Sequence, residues 1–413
     1  MAWGNSYSVE GFKSSDMVIS VWDKSERKKV KKVYEIQDGD VGDVCIGVVK
    51  IDLDELKKNE TKQEMIPLWK HNFKKQKNFF LKLEYHYQEI EVFPPELYVP
   101  FVNFIVDPSM VFLDCVDDVA ACQRHCAAKY VVRLLMLKHQ WWKYLDKIIK
   151  DELGHCNQAS TIFRGSGFGT SALLYFVKLV GKEYLQQTLA TDIERLIVRK
   201  IPCLIQPDDT EDVKTEKAKH LKSYVSRFFK AIVNSAKYCP IQLRQVFNIL
   251  FHAVSQKFDE QTSYFAINGF LFLRFFVPAL KSPMDDIISI NTPDEAKKLL
   301  SVIATAVQKM ANGVTFRETD ELAFLNEVMV NTKEDVDRFM RDISTVPDSS
   351  TLSAVLDIEE LSFAEDAACM LSLLLKNEEN FKNISDVAIR EGLCNITKQT
   401  QESIANYLAK HNS

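Results

Sequence analysis

Two arginines stand in surroundings suited to chemistry. The first is Arg164, in the segment Ser160-Thr161-Ile162-Phe163-Arg164-Gly165-Ser166-Gly167-Phe168-Gly169-Thr170-Ser171. Three glycines within five positions, beside serine and threonine, read as a loop and not as a helix interior. Phe163 is an apolar anchor and Arg164 is the single charge. A pinned loop presenting one guanidinium suits work on an external phosphate. From composition alone, an ordinary surface loop with a solvated arginine is the commoner reading and stays open. P-loop chemistry is excluded, because no Gly-Lys-Ser/Thr follows. The second is Arg274, in Gly269-Phe270-Leu271-Phe272-Leu273-Arg274-Phe275-Phe276-Val277-Pro278-Ala279, a helix apolar on nearly every face. A buried arginine is costly unless its donors are satisfied. Its five N–H groups want carbonyls or a carboxylate, and the carbonyls of the glycine-rich loop are suitable acceptors. A structural salt bridge with no functional role is the alternative.

The elements that must position these residues change character near Phe93-Pro94-Pro95. Before the prolines, Val18 to Trp22, Ile46 to Leu53 and Phe79 to Tyr87 read as strands. In the last, Phe79, Leu81, Leu83, Tyr85 and Tyr87 share one face at period two. After them, helical spacing dominates. Leu221, Tyr224, Val225, Phe228, Phe229, Ile232, Val233 and Ala236 form one apolar stripe, and Leu299, Leu300, Val302, Ile303, Ala306, Val307, Met310 and Ala311 another. Helical spacing resumes after the glycine loop at Ala172, with Thr170 or Ser171 as N-cap. The chain therefore reads as mainly α, a small β unit over residues 1–92 followed by an all-helical unit over 93–413. The core of the helical unit is placed at about 120–345 and its C-terminal helices at 346–413.

Four blocks in order carry a family resemblance. Thr161-Ile162-Phe163-Arg164-Gly165-Ser166 resembles the arginine-finger loop of Ras GTPase-activating proteins. Cys239-Pro240-Ile241-Gln242-Leu243-Arg244 resembles that family's Pro-x-x-Leu-Arg helix start. Phe272-Leu273-Arg274-Phe275-Phe276-Val277-Pro278-Ala279 resembles its FLRxxxPA block, and Val307-Gln308-Lys309-Met310-Ala311-Asn312 its Gln-x-x-Ala-Asn helix. The resemblance runs from about Phe93 to the C-terminus. It implies an all-helical RasGAP-type domain acting on a Ras-family small GTPase in its GTP state. Arg164 would enter the partner's nucleotide site and neutralise transition-state charge, and Arg274 would clamp the finger loop through its backbone carbonyls. Phe163, Gly165, Leu273, Gln308 and Asn312 match partner-binding positions. The chain would perform no reaction of its own and need no cofactor, since GTP and magnesium belong to the partner.

Two positions depart from the family pattern. Ser166-Gly167-Phe168-Gly169 replaces the frequent Asn-Ser-Leu-Ala, and the extra glycines are expected to loosen the loop. Thr305 stands where a lysine is common, which removes one attraction to acidic groups of a partner. A non-catalytic G-protein-binding adaptor and a dual activator of Ras and Rap proteins are the alternatives. The presence of Arg164 argues against the adaptor.

Residues 1–92 resemble the later strands of a C2-type β-sandwich, through Asp16 to Asp23, Cys45 to Leu53 and Pro67-Leu68-Trp69. The expectation is a small C2-like sandwich lacking its first strands. Asp23 and Asp43 match calcium-loop positions, but Ser25 replaces a second aspartate, and too few ligands are left for calcium. In the same loop Arg27, Lys28, Lys29, Lys31 and Lys32 put five positive charges in six positions, enough to hold an anionic lipid headgroup. A solvated basic loop is the equal alternative. Over residues 1–92 the charges balance, 16 Lys plus Arg against 16 Asp plus Glu, so any attraction to lipid is local.

Composition sets the remaining bounds. Lys plus Arg is 52 and Asp plus Glu is 57 over 413 residues, a net charge of −5 that speaks against nucleic acid as a partner. The N-terminus lacks the pattern of a secretory signal. The longest apolar stretch, Tyr264 to Leu280, is interrupted by Asn268, Arg274 and Pro278 and reads as too short and polar to span a membrane. Nine cysteines without paired spacing fit reduced thiols. The expected location is cytoplasmic and peripheral at membranes. No metal site is expected: Cys122-Gln123-Arg124-His125-Cys126 has no second ligand pair, and Asp114, Asp117 and Asp118 lack calcium-loop spacing and are read as capping or preceding a helix. His139-Gln140-Trp141-Trp142 reads as helix packing.

Overall fold

The computed structural model describes residues 16–23, 44–52, 55, 61–69, 75–86, 89–120, 123–137, 141–163, 165, 167–283, 287–288, 290, 292–346 and 362–411. The chain divides into two compact units, Met1–Glu91 and Val92–Ser413.

In the first unit, β1 (Asp16–Asp23), β2 (Val44–Asp52), β3 (Thr61–Trp69) and β4 (Lys75–His86) form one antiparallel sheet in the order β1-β2-β3-β4. Alternation sets the faces. Leu81, Leu83 and Tyr85 are partly buried, while Lys82 and Glu84 between them, and Phe80 before them, are exposed. The inward positions of β4 join Val49, Ile51 and Leu68 in one small apolar cluster. Only the Pro67-Leu68-Trp69 end of β3 stood out in the sequence, because its first half is polar and largely exposed. Pro67 falls where the β3–β4 register shifts, a place that tolerates a missing N–H. Two packed layers were expected, but the described residues form a single sheet. One apolar face dictates that the sheet be covered, not that a second sheet cover it.

In the second unit the described helices are α1 (Val99–Ile105), α2 (Val111–Ala120), α3 (Arg124–Met136), α4 (Trp141–Gly154), α5 (Phe168–Val180), α6 (Lys182–Leu185), α7 (Thr191–Arg199), α8 (Glu211–Val233), α9 (Ile241–Lys257), α10 (Glu260–Leu271), α11 (Val277–Lys281), α12 (Asp294–Ala311), α13 (Asn326–Met329), α14 (Lys333–Ser344), α15 (Phe363–Lys376) and α16 (Val387–His411). Their apolar faces merge into one core. The stripe on α8 buries Leu221, Tyr224, Val225, Phe228, Phe229, Ile232 and Val233. That on α12 buries Leu299, Leu300, Ile303, Ala306, Val307, Met310 and Ala311. Far along the chain, α15 returns to α3, where Arg133 Nε meets Asp366 Oδ1 at 2.6 Å inside the protein.

The helices around Arg274 are continuous. Asp259 caps α10 by accepting from the Thr262 N–H at 2.7 Å. A π-helical turn, Phe272–Phe276, then joins α10 to α11. The joined helix Glu260–Lys281 is 22 residues long and, by length and composition, apolar enough to cross a membrane. That exceeds the shorter stretch read from the sequence, because helix geometry carries the run through Asn268, Arg274 and Pro278. Most of it is buried inside the helical unit, as befits a core helix.

Candidate functional site

The glycine-rich loop is anchored from its N-terminal side. After α4, a 3-10 turn at Ala159–Thr161 closes with the Thr161 N–H and hydroxyl both donating to the Gln158 carbonyl, at 3.0 and 2.7 Å. Phe163 follows in the left-handed region, φ 51°. That conformation costs a non-glycine residue about 1–2 kcal/mol. The ring is only 2% exposed and stands edge-on to Phe270, with centroids 6.1 Å apart, so burial offsets the cost. Strain of this kind, held in place by packing, directly precedes position 164. Arg164 itself and Ser166 lie outside the described residues, while Phe163 and the exposed Gly165 on either side of Arg164 are described.

Arg274 grips this loop. Its Nη2 donates to the Gly165 carbonyl at 3.2 Å. The sequence placed Arg274 among apolar faces; in the fold it is half-buried, because the π-turn puts Phe272, Phe275 and Phe276 inward and leaves Leu273 and Arg274 consecutive at the surface. Partial burial lowers the guanidinium pKa from its ordinary value, and the charge of Glu152 opposes that shift. Arginine stays charged across the physiological range regardless.

The start of α5 differs from expectation. The helix begins at Phe168 with Gly167 as its cap residue, not at Thr170 or Ser171. Thr170 and Ser171 are buried and turned to other helices. The Thr170 hydroxyl donates to Glu152 Oε1 at 2.7 Å, and Ser171 Oγ lies 3.0 Å from His125 Nδ1. The extra glycines admit a close approach. A Cβ at Gly169 would lie 2.8 Å from Glu152 Oε2, and one at Gly167 would lie 3.1 Å from it. The glycines expected to slacken the loop thus let α4 and α5 touch, and Gly169 sits inside the helix.

The other residues matched by the resemblance sit on neighbouring elements. Leu273 is 46% exposed, high for a leucine beside a phenylalanine core. Gln308 and Asn312 stand one turn apart at the end of α12, with Gln308 Nε2 donating to Asn312 Oδ1 at 3.4 Å. Gln308 Oε1 is buried and has no hydrogen-bond partner. Gly313, φ 65°, ends the helix: its N–H reaches the Met310 carbonyl at 3.1 Å, and the Val314 N–H reaches that of Lys309 at 2.9 Å. This left-handed glycine cap fixes where Asn312 leaves the helix. Thr305, on α12, is exposed and bonds its own backbone through the Ser301 carbonyl.

Sequence reading missed the surface between these points. Phe265, 44% exposed, lies on α10 four residues before Gly269 and eight before Leu273, on one helical face. It lines a small hollow with Phe163, Leu273 and Arg274, and also a groove of about 390 Å³ that reaches Asn312, Val314 and Val330. Asn268 ties the two sides of that groove, donating from Nδ2 to the Ala311 carbonyl at 2.8 Å. The period-four spacing of Phe265, Gly269 and Leu273 was the available signal. Glu152 had none, because only folding brings it to Thr170.

Other sequence candidates lie apart from this site. Asp114 and Asp117 are inside α2 and do not cap it; they pair with Lys147 and Arg124. Burial pushes the thiols of Cys115 and Cys239 up to about 12, which removes them as nucleophiles. Arg27, Lys28, Lys29, Lys31 and Lys32 lie outside the described residues, as do Ser25, Asp43, Cys122, His139 and Gln140.

Comparison with known proteins bears on this geometry. Residues 201–312 match the RasGAP family model, described as GTPase-activator protein for Ras-like GTPase. That segment holds the blocks around Leu243, Arg274 and Gln308, and the loop at 160–171 precedes it. The chain is 28% identical over 308 residues to the probable Ras GTPase-activating-like protein ngap of Dictyostelium discoideum, covering 73% of this chain and 35% of that protein. It is 28% identical over 251 residues to a GTPase-activating protein of Drosophila melanogaster, covering 58% and 22%. It is also 28% identical over 247 residues to Ras GTPase-activating protein 3 of Rattus norvegicus, covering 56% and 29%. The chain spans about a third or less of the length of these relatives. The chain is thus similar to RasGAP proteins over residues 201–312 by the family model, and over longer stretches to relatives named as GTPase-activating proteins.

Proposed function

We propose that this chain stimulates GTP hydrolysis by a Ras-family G protein in its GTP state, with Arg164 as an arginine finger in trans. The observation that carries this reading is the hydrogen bond from Arg274 Nη2 to the carbonyl of Gly165, the residue after Arg164. Phe163, on the other side of Arg164 in the chain, is buried, so both described neighbours of that residue are anchored. A finger so flanked loses little freedom on entering a partner's site, which makes its charge effective in the transition state. The phosphoryl group being transferred gathers charge on its peripheral oxygens, and one guanidinium there offsets it.

In this reading Gly165, Leu273, Gln308 and Asn312 face the partner's switch regions, while Phe163, matched by the resemblance to a partner-binding position, is buried and anchors the loop instead. Arg164 and Arg274 are the catalytic pair, the first touching nucleotide and the second holding the loop. GTP and magnesium come with the partner, and the chain needs no cofactor of its own. The N-terminal unit acts as a C2-like module that brings Arg27, Lys28, Lys29, Lys31 and Lys32 to anionic lipid, for a cytoplasmic protein peripheral at membranes.

Single-turnover GTP hydrolysis by purified Ras and Rap proteins tests the central claim, with this chain and with Arg164→Ala. The expected result is stimulation that falls by about 10²-fold or more in the variant while binding is retained. Binding without stimulation by the intact chain leaves an adaptor. Stimulation of both G proteins makes it a dual activator.

A further inference from the structure

We propose that Glu152 is a positioning residue for the loop that carries Arg164, fixing the start of α5 that follows the loop; its consequence for hydrolysis rests on the reading above.

Three observations converge on this carboxylate. The Thr170 hydroxyl donates to Glu152 Oε1 at 2.7 Å, so the side chain is oriented and not merely nearby. Glu152 Oε2 lies where a Cβ on Gly169 or Gly167 would fall, at 2.8 and 3.1 Å, so the backbone that follows the loop is laid directly against it. Its negative charge also acts on Arg274, whose Nη2 holds the Gly165 carbonyl.

The placement is unfavourable for its own helix. Glu152 is in the last turn of α4, where the helix dipole disfavours an anion. Lys257 supplies the cation that end prefers, with Nζ donating to the carbonyls of Leu153 and Gly154. For α5 the same carboxylate is at the favourable end, against the first turn of a 13-residue helix whose cap residue is a glycine with no side chain to contribute. One carboxylate from a different helix therefore places its charge at the start of α5 and holds the Thr170 hydroxyl there. It also favours the charged arginine that grips the middle of the loop. The Gly-x-Gly after Ser166 is then the space required for Glu152.

The variants are Glu152→Gln, which keeps shape and removes charge, and Thr170→Val, which removes only the hydroxyl. Hydrogen–deuterium exchange on the free chain reads the loop without any G protein. Glu152→Gln is expected to speed exchange in peptides spanning 158–169 by about tenfold, with exchange in α8 and α12 and the unfolding midpoint unchanged. Thr170→Val should do the same to a smaller degree, and it stands in if Glu152→Gln proves too unstable to purify. Loop exchange equal to the parent in both variants overturns the proposal, whatever the activity. In single-turnover hydrolysis at saturating chain, Glu152→Gln should lower the rate about tenfold with G-protein affinity unchanged. A loss confined to affinity also overturns it. If the parent chain stimulates no G protein, the GTPase-activating reading fails, and loop exchange alone decides the role of Glu152.

Discussion

Phe163 meets Phe270 edge to face, with ring centroids 6.1 Å apart, while its backbone is left-handed at φ 51°. The two features belong together: a strained residue persists only where packing holds it. Phe163→Ala removes the ring that offsets the strain. Urea unfolding should show a loss of about 3 kcal/mol, within the usual range for deleting a buried phenylalanine. Hydrolysis stimulation should fall further than the loss of folded protein accounts for. A change in stability below about 1 kcal/mol would mean that the ring is no anchor.

Arg274 offers a sharper test of the loop. Its guanidinium donates to Gly165, and a charged hydrogen bond of this kind contributes about 1.5–3 kcal/mol. Arg274→Ala should therefore lower stimulated hydrolysis by about 10- to 100-fold at saturating G protein. Arg274→Lys should recover little, since an ammonium lacks the planar fork. Full activity in the lysine variant would show that charge alone suffices.

Gly313 closes α12 at φ 65° beside Asn312. Gly313→Ala should cost about 1 kcal/mol in thermal unfolding through backbone strain, with open space around the new methyl. G-protein affinity measured alongside should weaken, because Asn312 would be redirected. An unchanged midpoint and affinity would argue that the cap does not set the position of Asn312.

Arg133 and Asp366 join α3 to α15 at 2.6 Å, both nearly buried. Burial raises the Asp366 carboxyl from its ordinary value, and Arg133 opposes the shift. Asp366→Ala takes the carboxylate from a buried guanidinium, leaving it the Tyr175 hydroxyl at 3.5 Å, and should cost about 3–5 kcal/mol in denaturant unfolding. A far smaller loss would mean that α15 docks through its apolar face alone.

Asp209 gives a pH signature. The Gln206 N–H, and then Lys217, hold its carboxyl below the usual value. A lowered folded pKa stabilises the protein above the unfolded carboxylate range, and that contribution fades as pH falls through the lowered value. Unfolding midpoints of the parent and of Asp209→Asn should differ near neutrality and converge as the pH falls below the usual carboxylate range. Parallel curves across the titration would remove Asp209 from the acid response.

Local pattern made much of this legible. The stripes on α8 and α12 and the alternation on β4 follow from spacing, since burial of one face needs only the helical or strand period. The loop at 160–171 and the FLR block were likewise visible as residue types out of keeping with their surroundings. The polar first half of β3 carried no such signal, and one apolar face left open whether a second sheet would cover it.

What the sequence determined by itself is the set of groups: an arginine behind an apolar anchor, a second arginine among phenylalanines, and a glutamine and an asparagine one turn apart. What the tertiary structure decided is their meeting. Arg274 reaches Gly165 across 109 positions of chain, and Glu152 reaches Thr170 from another helix, with two glycines making the room. No local period encodes such contacts, because they arise from how α4, α5 and the π-turn pack and not from any one of them.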